Sequence, residues 1–239
     1  MLPGVATIER HGEFFVVRDD LLPGGAKSRF LPAIVPSMAR ELVFGAPFCG
    51  GAPVALAVEG RRLGIPVTIF YAARAELTAR QRRVRDLGAR LEFVRPGYMT
   101  VVQARARAYA EVAGAHFFPL GFDVPEAMEP LIEQVRAIAG PLQPPQVWCA
   151  TGSGMLARCL ALALPRAKVK AVAVGLRSRW TRQEFPLNVE VIEAALPFER
   201  KSVCVAPFDS CGHYDRKAWD LCSRYGAPGA LAWNVMGDE

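Results

Sequence analysis

Apolar positions along the chain repeat with two periods. Short apolar runs of strand length recur at Val67–Tyr71 (VTIFY), Arg90–Val94 (RLEFV), Gln146–Ala150 (QVWCA), Lys170–Gly175 (KAVAVG), Val189–Ala194 and Ala230–Val235. Between them apolar residues fall at helical spacing. Thr78–Leu87 is amphipathic and stopped by Gly88, and Val101–Ala113 is stopped by Gly114. Pro125–Ala139 opens on proline and places Leu131, Ile132, Val135 and Ile138 on one face. Met155–Leu164 and Asp215–Tyr225 complete the helical set, and Gly140–Pro145 (GPLQPP) is a loop. Strand–helix alternation of this length predicts an α/β fold, with parallel sheets covered by helices on both faces.

Composition narrows the class. A chain of 239 residues, 51% hydrophobic and 22% charged, forms one compact domain or two small lobes. No apolar run approaches the ~20 residues of a membrane helix, and the start, MLPGVATIERHGEFF, has no signal-peptide pattern. The six cysteines are scattered without a Cys-x-x-Cys pair, as expected for reduced thiols in a cytoplasm. His11, His116 and His213 do not pair at metal-ligand spacing, so no metal site is expected. Charge is uneven. Arg61–Arg107 holds eleven arginines, no lysine and three acids, a net +8 in a chain of net +6. This is either a solvated arginine-rich face or a surface that attracts a polyanion such as nucleic acid.

Three segments carry candidate chemistry. In Arg18-Asp-Asp-Leu-Leu-Pro-Gly-Gly-Ala-Lys-Ser-Arg29 a lone lysine, Lys27, follows a glycine turn. Glycines let backbone approach a bound group closely. A lysine desolvated at such a turn loses its proton more readily, and the neutral amine attacks carbonyls. Asp19 and Asp20 suit a turn or cap role, with catalysis as the alternative. In Val147-Trp-Cys-Ala-Thr-Gly-Ser-Gly-Met-Leu156 a strand runs into Thr151, Gly152, Ser153 and Gly154, and a helix follows. Free N–H groups and the positive end of the helix dipole there receive a phosphate. The alternative is a tight turn without a ligand. In Phe44–Ala57 a loop containing Cys49, Gly50 and Gly51 leads into a helix with Ala52 and Pro53 at its start.

In order and spacing, these segments resemble the fold-type II pyridoxal-phosphate (PLP) enzymes, the tryptophan synthase β-subunit class. Over residues 16–160 the nearest branch holds D-cysteine desulfhydrase and aminocyclopropane-carboxylate deaminase. The resemblance implies two lobes, a larger one of residues 1–43 and 115–239 and an inserted arginine-rich one of 44–114. It implies PLP as a Schiff base on Lys27, with Thr151–Gly154 at the cofactor phosphate. The class asparagine that meets the cofactor's phenolic oxygen aligns with Ala52, and the class serine of the substrate-carboxylate loop aligns with Gly50. Cys49, Gly50 and Gly51 thus stand where that loop holds substrate, but without its hydroxyl and amide groups. Ser210 or Cys211 would meet the pyridine nitrogen. His213 and Tyr214 would touch substrate or supply an acid or base, and His213–Asp215 could equally be a helix cap. Trp148, Trp180, Trp219 and Trp233 are expected in the core or an interface.

The implied function is a PLP-dependent lyase working at the α-carbon of an amine-bearing small molecule, by elimination, deamination or decarboxylation. Alternatives are a decarboxylase or lyase whose amino acid is attached to a larger anionic carrier, such as a modified base in phage DNA, and a non-catalytic PLP- or phosphate-binding protein. A homodimer is expected by resemblance.

Overall fold

The computed structural model describes residues 6–95, 97–174 and 185–238. The chain divides into two compact units, one of residues 1–29 and 128–238 and one of residues 30–127. Gly175 and Trp180 lie outside the described residues.

The first unit is built on a six-stranded sheet. Its strands are β1 (Ile8–His11), β2 (Phe14–Arg18), β7 (Gln146–Thr151), β8 (Lys168–Ala173), β9 (Val189–Glu193) and β10 (Leu231–Asn234). They lie side by side in the order β1-β2-β10-β7-β8-β9. All neighbours pair in parallel except β1 and β2, which form an antiparallel hairpin. Helix α7 (Asp215–Tyr225) covers one face, where Trp148, Ala150, Val172 and Ala232 pack against Ala218, Trp219 and Cys222. Strand residues of the opposite parity, Val17, Val147, Cys149, Ala171 and Trp233, are at most 1% exposed. Both faces are therefore buried, which is why these strands read as continuous apolar runs. Helix α6 (Met155–Ala163) packs on β7 and β8. The described tryptophans Trp148, Trp219 and Trp233 all lie in this core.

The second unit has a four-stranded parallel sheet. Its strands are β3 (Leu42–Ala46), β4 (Val67–Ala72), β5 (Arg90–Val94) and β6 (His116–Phe118), in the order β5-β4-β3-β6. Helix α4 (Met99–Ala113) buries Val102, Ala106 and Ala110 against Val43, Phe70 and Val94. Helices α2 (Ala52–Leu63) and α3 (Ala79–Asp86) pack on each other, and α2 lies on β3 and β4. Thr78 starts α3 with a capping box: its hydroxyl accepts the Gln81 N–H, and the Gln81 side chain accepts the Thr78 N–H. A short helix α1 (Leu31–Ile34) precedes β3. The remaining helix, α5 (Pro125–Ala139), has the bounds that its spacing predicts. Among the described residues no helix is long and apolar enough to cross a membrane.

Candidate active site

Lys27 sits in the middle of a 3-10 turn, Gly25–Arg29, that is clamped at both ends. At the near end Gly25 has φ +67°, and a Cβ there would lie 2.5 Å from the Val235 carbonyl oxygen. Only glycine takes this conformation without strain. The same carbonyl accepts the Ala26 N–H at 3.0 Å. At the far end Arg29 donates through Nε and an Nη to Asp19 Oδ1, and the Trp233 indole donates to Asp19 Oδ2 at 2.8 Å. Asp19 is fully buried, and burial pushes its carboxyl up while Arg29 draws it back. Asp20 is likewise tied, by Arg18 and by Asn234. Asp19 thus anchors the lysine turn, and Asp20 ties the end of β2 to β10.

The Lys27 residue is half-buried, yet protein crowds its amine. Desolvation pulls the amine below the usual lysine range, and the negative charge of Asp215 opposes that fall. Asp215 is 2% exposed and opens α7. The residue that flanks the helix start is Tyr214, and it makes no side-chain capping bond. The Asp215 carboxylate instead accepts the Met236 N–H at 3.2 Å. Burial raises Cys149 on β7 and Tyr214, and the Asp215 charge adds to the rise in both. A buried carboxylate thus acts on a buried amine, a thiol and a phenol together. The cap alternative for Asp215 gives way to this one.

The turn between β7 and α6 adjoins this group. Gly154, at φ +87°, ends the turn, and Ser153 Oγ accepts the Met155 N–H over a long 3.5 Å. The Tyr214 hydroxyl lies against Gly152. A Cβ on Gly152 would stand 3.1 Å from that hydroxyl, so glycine admits the phenol. Thr151 Oγ1 and Ser210 Oγ are buried with no hydrogen-bond partner among the described residues. A buried hydroxyl without a partner costs about 1–3 kcal/mol.

The other expected site residues are distributed as follows. Cys211 is 1% exposed, and its N–H donates to the Met236 carbonyl. The His213 ring meets the Phe198 carbonyl through Nδ1 at 2.9 Å. Cys49, Gly50, Gly51 and Ala52 belong to the second unit, where Gly51 precedes α2 without a side-chain capping bond. That loop closes on itself: Gly50 N–H donates to the Pro47 carbonyl, and the Thr78 hydroxyl donates to the Phe48 carbonyl. Sequence patterning missed Arg29, Met236 and the buried place of Asp215. Only the adjacency of Asp215 to Tyr214 hinted at the last.

No protein-family model and no curated protein matches the chain. Solved structures do. An ACC deaminase homologue superposes with a TM-score of 0.84 at 15% identity, over 99% of this chain and 90% of that one. A fungal L-serine ammonia-lyase from Rhizomucor miehei gives 0.76 at 14%, over 100% and 95%. A threonine deaminase from T.th. gives 0.68 at 16%, over 95% and 87%. At these identities the likeness is one of fold, and the fold of this chain is that of the fold-type II class to which its motifs point.

Proposed function

We propose that the chain is a PLP-dependent lyase that carries its cofactor on Lys27 and acts at the α-carbon of an amine-bearing substrate. The observation that carries this is the Lys27 amine, crowded by protein on a clamped glycine turn and held below the usual lysine range by desolvation, a fall that the nearby Asp215 carboxylate opposes. Fold neighbours named for removing amines, a threonine deaminase and a serine ammonia-lyase, support the reaction class. The residues present suit the group. The Thr151 hydroxyl, which has no partner among the described residues, the Ser153 hydroxyl and the N–H groups of the Gly152–Gly154 turn would hold its phosphate, helped by the α6 dipole. Asp215, a buried carboxylate, would pair with a positive ring nitrogen more strongly than the neutral Ser210. When bound, the cofactor supplies an electron sink for a pair released at the substrate α-carbon. Lys27, with its lowered proton affinity, is the group that takes or returns a proton there. Tyr214, raised by burial and by Asp215, stays a neutral phenol and donor at physiological pH.

The test is an absorbance spectrum of protein mixed with PLP, before and after borohydride, with the labelled peptide mapped by mass spectrometry. Pyridoxyl on Lys27, lost in Lys27→Ala, is the expected result. Wild-type protein that stays colourless and unlabelled would end the proposal.

A second reading concerns the substrate. The Cys49–Ala52 loop offers no hydroxyl or amide side chain to grip a free α-carboxylate. Ten of the eleven arginines from Arg61 to Arg107 are exposed, and Arg80 is the buried exception. Both features favour an amino acid attached to an anionic carrier, and an ungripped carboxylate favours its loss as CO₂. Assaying CO₂ and ammonia release from free and nucleic-acid-borne amino acids separates the two; turnover of free amino acids alone would refute the carrier.

A further inference from the structure

A single peptide unit links the turn that bears Lys27 to the carboxylate of Asp215. Its carbonyl, that of Val235, accepts the Ala26 N–H at 3.0 Å. Its N–H, that of Met236, donates to Asp215 Oδ2 at 3.2 Å. The unit is planar and rigid, so the two bonds share one orientation. Low local dielectric makes such bonds in series polarise one another.

The surroundings leave this unit little freedom. On one side β10 is locked between β2 and β7, and Asn234 donates to Asp20 and to the Asp209 carbonyl. On the other side the Met236 carbonyl accepts the Cys211 N–H at 3.0 Å, and the Asp238 N–H donates to Asp209 Oδ1 at 2.9 Å. Asp238 in turn accepts from Gly212 N–H and from Lys201. The segment after β10 therefore crosses between the lysine turn and the start of α7, tied to both.

We infer that the Val235–Met236 peptide is a positioning element, which holds the Asp215 carboxylate in register with the Lys27 amine. Its use in catalysis rests on the proposed function; its existence does not. Arg29 and Asp19 satisfy each other on the lysine turn, while Cys149 from β7 and Tyr214 before α7 stay neutral because burial raises both. Asp215 is then the charge that sustains the proton on Lys27. A carboxylate no longer held by the Met236 N–H swings toward other donors, and the Lys27 amine, still desolvated, loses its proton at lower pH.

The test labels cofactor-free, full-length protein with acetic anhydride across pH and follows the Lys27 peptide by mass spectrometry. Only the neutral amine reacts, so the midpoint of the profile reports its proton affinity. Met236→Pro deletes the N–H and keeps the Val235 carbonyl; Met236→Ala keeps both. The midpoint is expected to fall by about one pH unit or more in Met236→Pro, as in Asp215→Ala, and to stay in place in Met236→Ala. A folded Met236→Pro protein with the wild-type midpoint overturns the inference. If Met236→Pro does not fold, amide exchange in Asp215→Ala decides. Exchange at Ala26 should quicken about tenfold relative to β8 amides, and unchanged exchange overturns the inference. Because no cofactor is present, a protein that never takes up PLP fails the proposed function without altering this result.

Discussion

Two strand-to-helix turns, Thr151–Gly154 in the first unit and Pro47–Gly51 in the second, share a backbone plan and differ in their side chains. Each follows a buried parallel strand, and each opens a helix without a side-chain capping bond. The first keeps two hydroxyls, and Thr151 Oγ1 finds no partner among the described residues. The second is apolar, places Pro53 where an N–H would stand, and has Gly50 N–H bound to the Pro47 carbonyl and the Phe48 carbonyl bound to the Thr78 hydroxyl. Strand–turn–helix geometry supplies N–H groups and a dipole in both. Side chains decide which turn remains open to a ligand. On the proposed function, the turn that would hold the cofactor phosphate keeps its hydroxyls, and the turn expected at the substrate has none.

The comparison holds only if the polar interior of the first unit is structural support for its open turn. Asp19→Asn tests that most severely. It leaves Arg29, 4% exposed, without its buried counter-charge. Breaking one side of a buried ion pair costs about 3–5 kcal/mol, and the asparagine recovers little of it. Denaturant unfolding should show that loss, together with loss of pyridoxyl labelling at Lys27. A change below about 1 kcal/mol, within the ordinary range for surface substitutions, would mean that the network is incidental.

Thr151→Val sharpens the comparison at the turn itself. The swap keeps shape and removes a hydroxyl with no partner among the described residues. Protein without cofactor should therefore be as stable as wild type or slightly more so, since the cost of that hydroxyl disappears. Cofactor affinity should fall about 10–100-fold, because a hydrogen bond to a charged group is worth about 1.5–3 kcal/mol. Isothermal titration with PLP and a melting curve give both numbers. Equal affinity with lower stability would make Thr151 a packing residue and close the turn to ligand.

How much of this is legible in the sequence follows from what a pattern can encode. Parallel strands buried on both faces appear as short apolar runs, so β4 and β7 are visible from the pattern, while the edge strand β5 shows through its alternation with only Val94 buried. The β1 strand, IERH, is an edge strand with mostly polar residues, and β6 has three residues; neither reaches the signal of an apolar run. The antiparallel hairpin of β1 and β2 is missed with them. Lys27 and the Thr151–Gly154 turn are visible because glycine marks close approach locally. Asp215 is not. An acid in the first turn of a helix is ordinary, and only the fold brings it to a lysine near the other end of the chain. Likewise nothing local announces that Asp19 will meet Arg29 and Trp233.

The smallest effect concerns the arginine-rich unit. Arg61, Arg82 and Arg83 are exposed on α2 and α3, where Glu59 and Asp86 already pair with Arg62 and Arg85. Replacing all three with alanine should leave stability within about 0.5 kcal/mol, as surface changes do. If the stripped substrate turn reflects a polyanionic carrier, each arginine that meets a phosphate adds about 0.9 to the slope of log affinity against log salt. The triple variant should then bind single- or double-stranded DNA with a slope smaller by about 2–3, and weaker by a similar amount on every sequence. A slope unchanged within one unit places the arginines on a merely solvated face. The stripped turn would then have to be explained by a small substrate that offers no carboxylate to grip, and assays should move to simple amines.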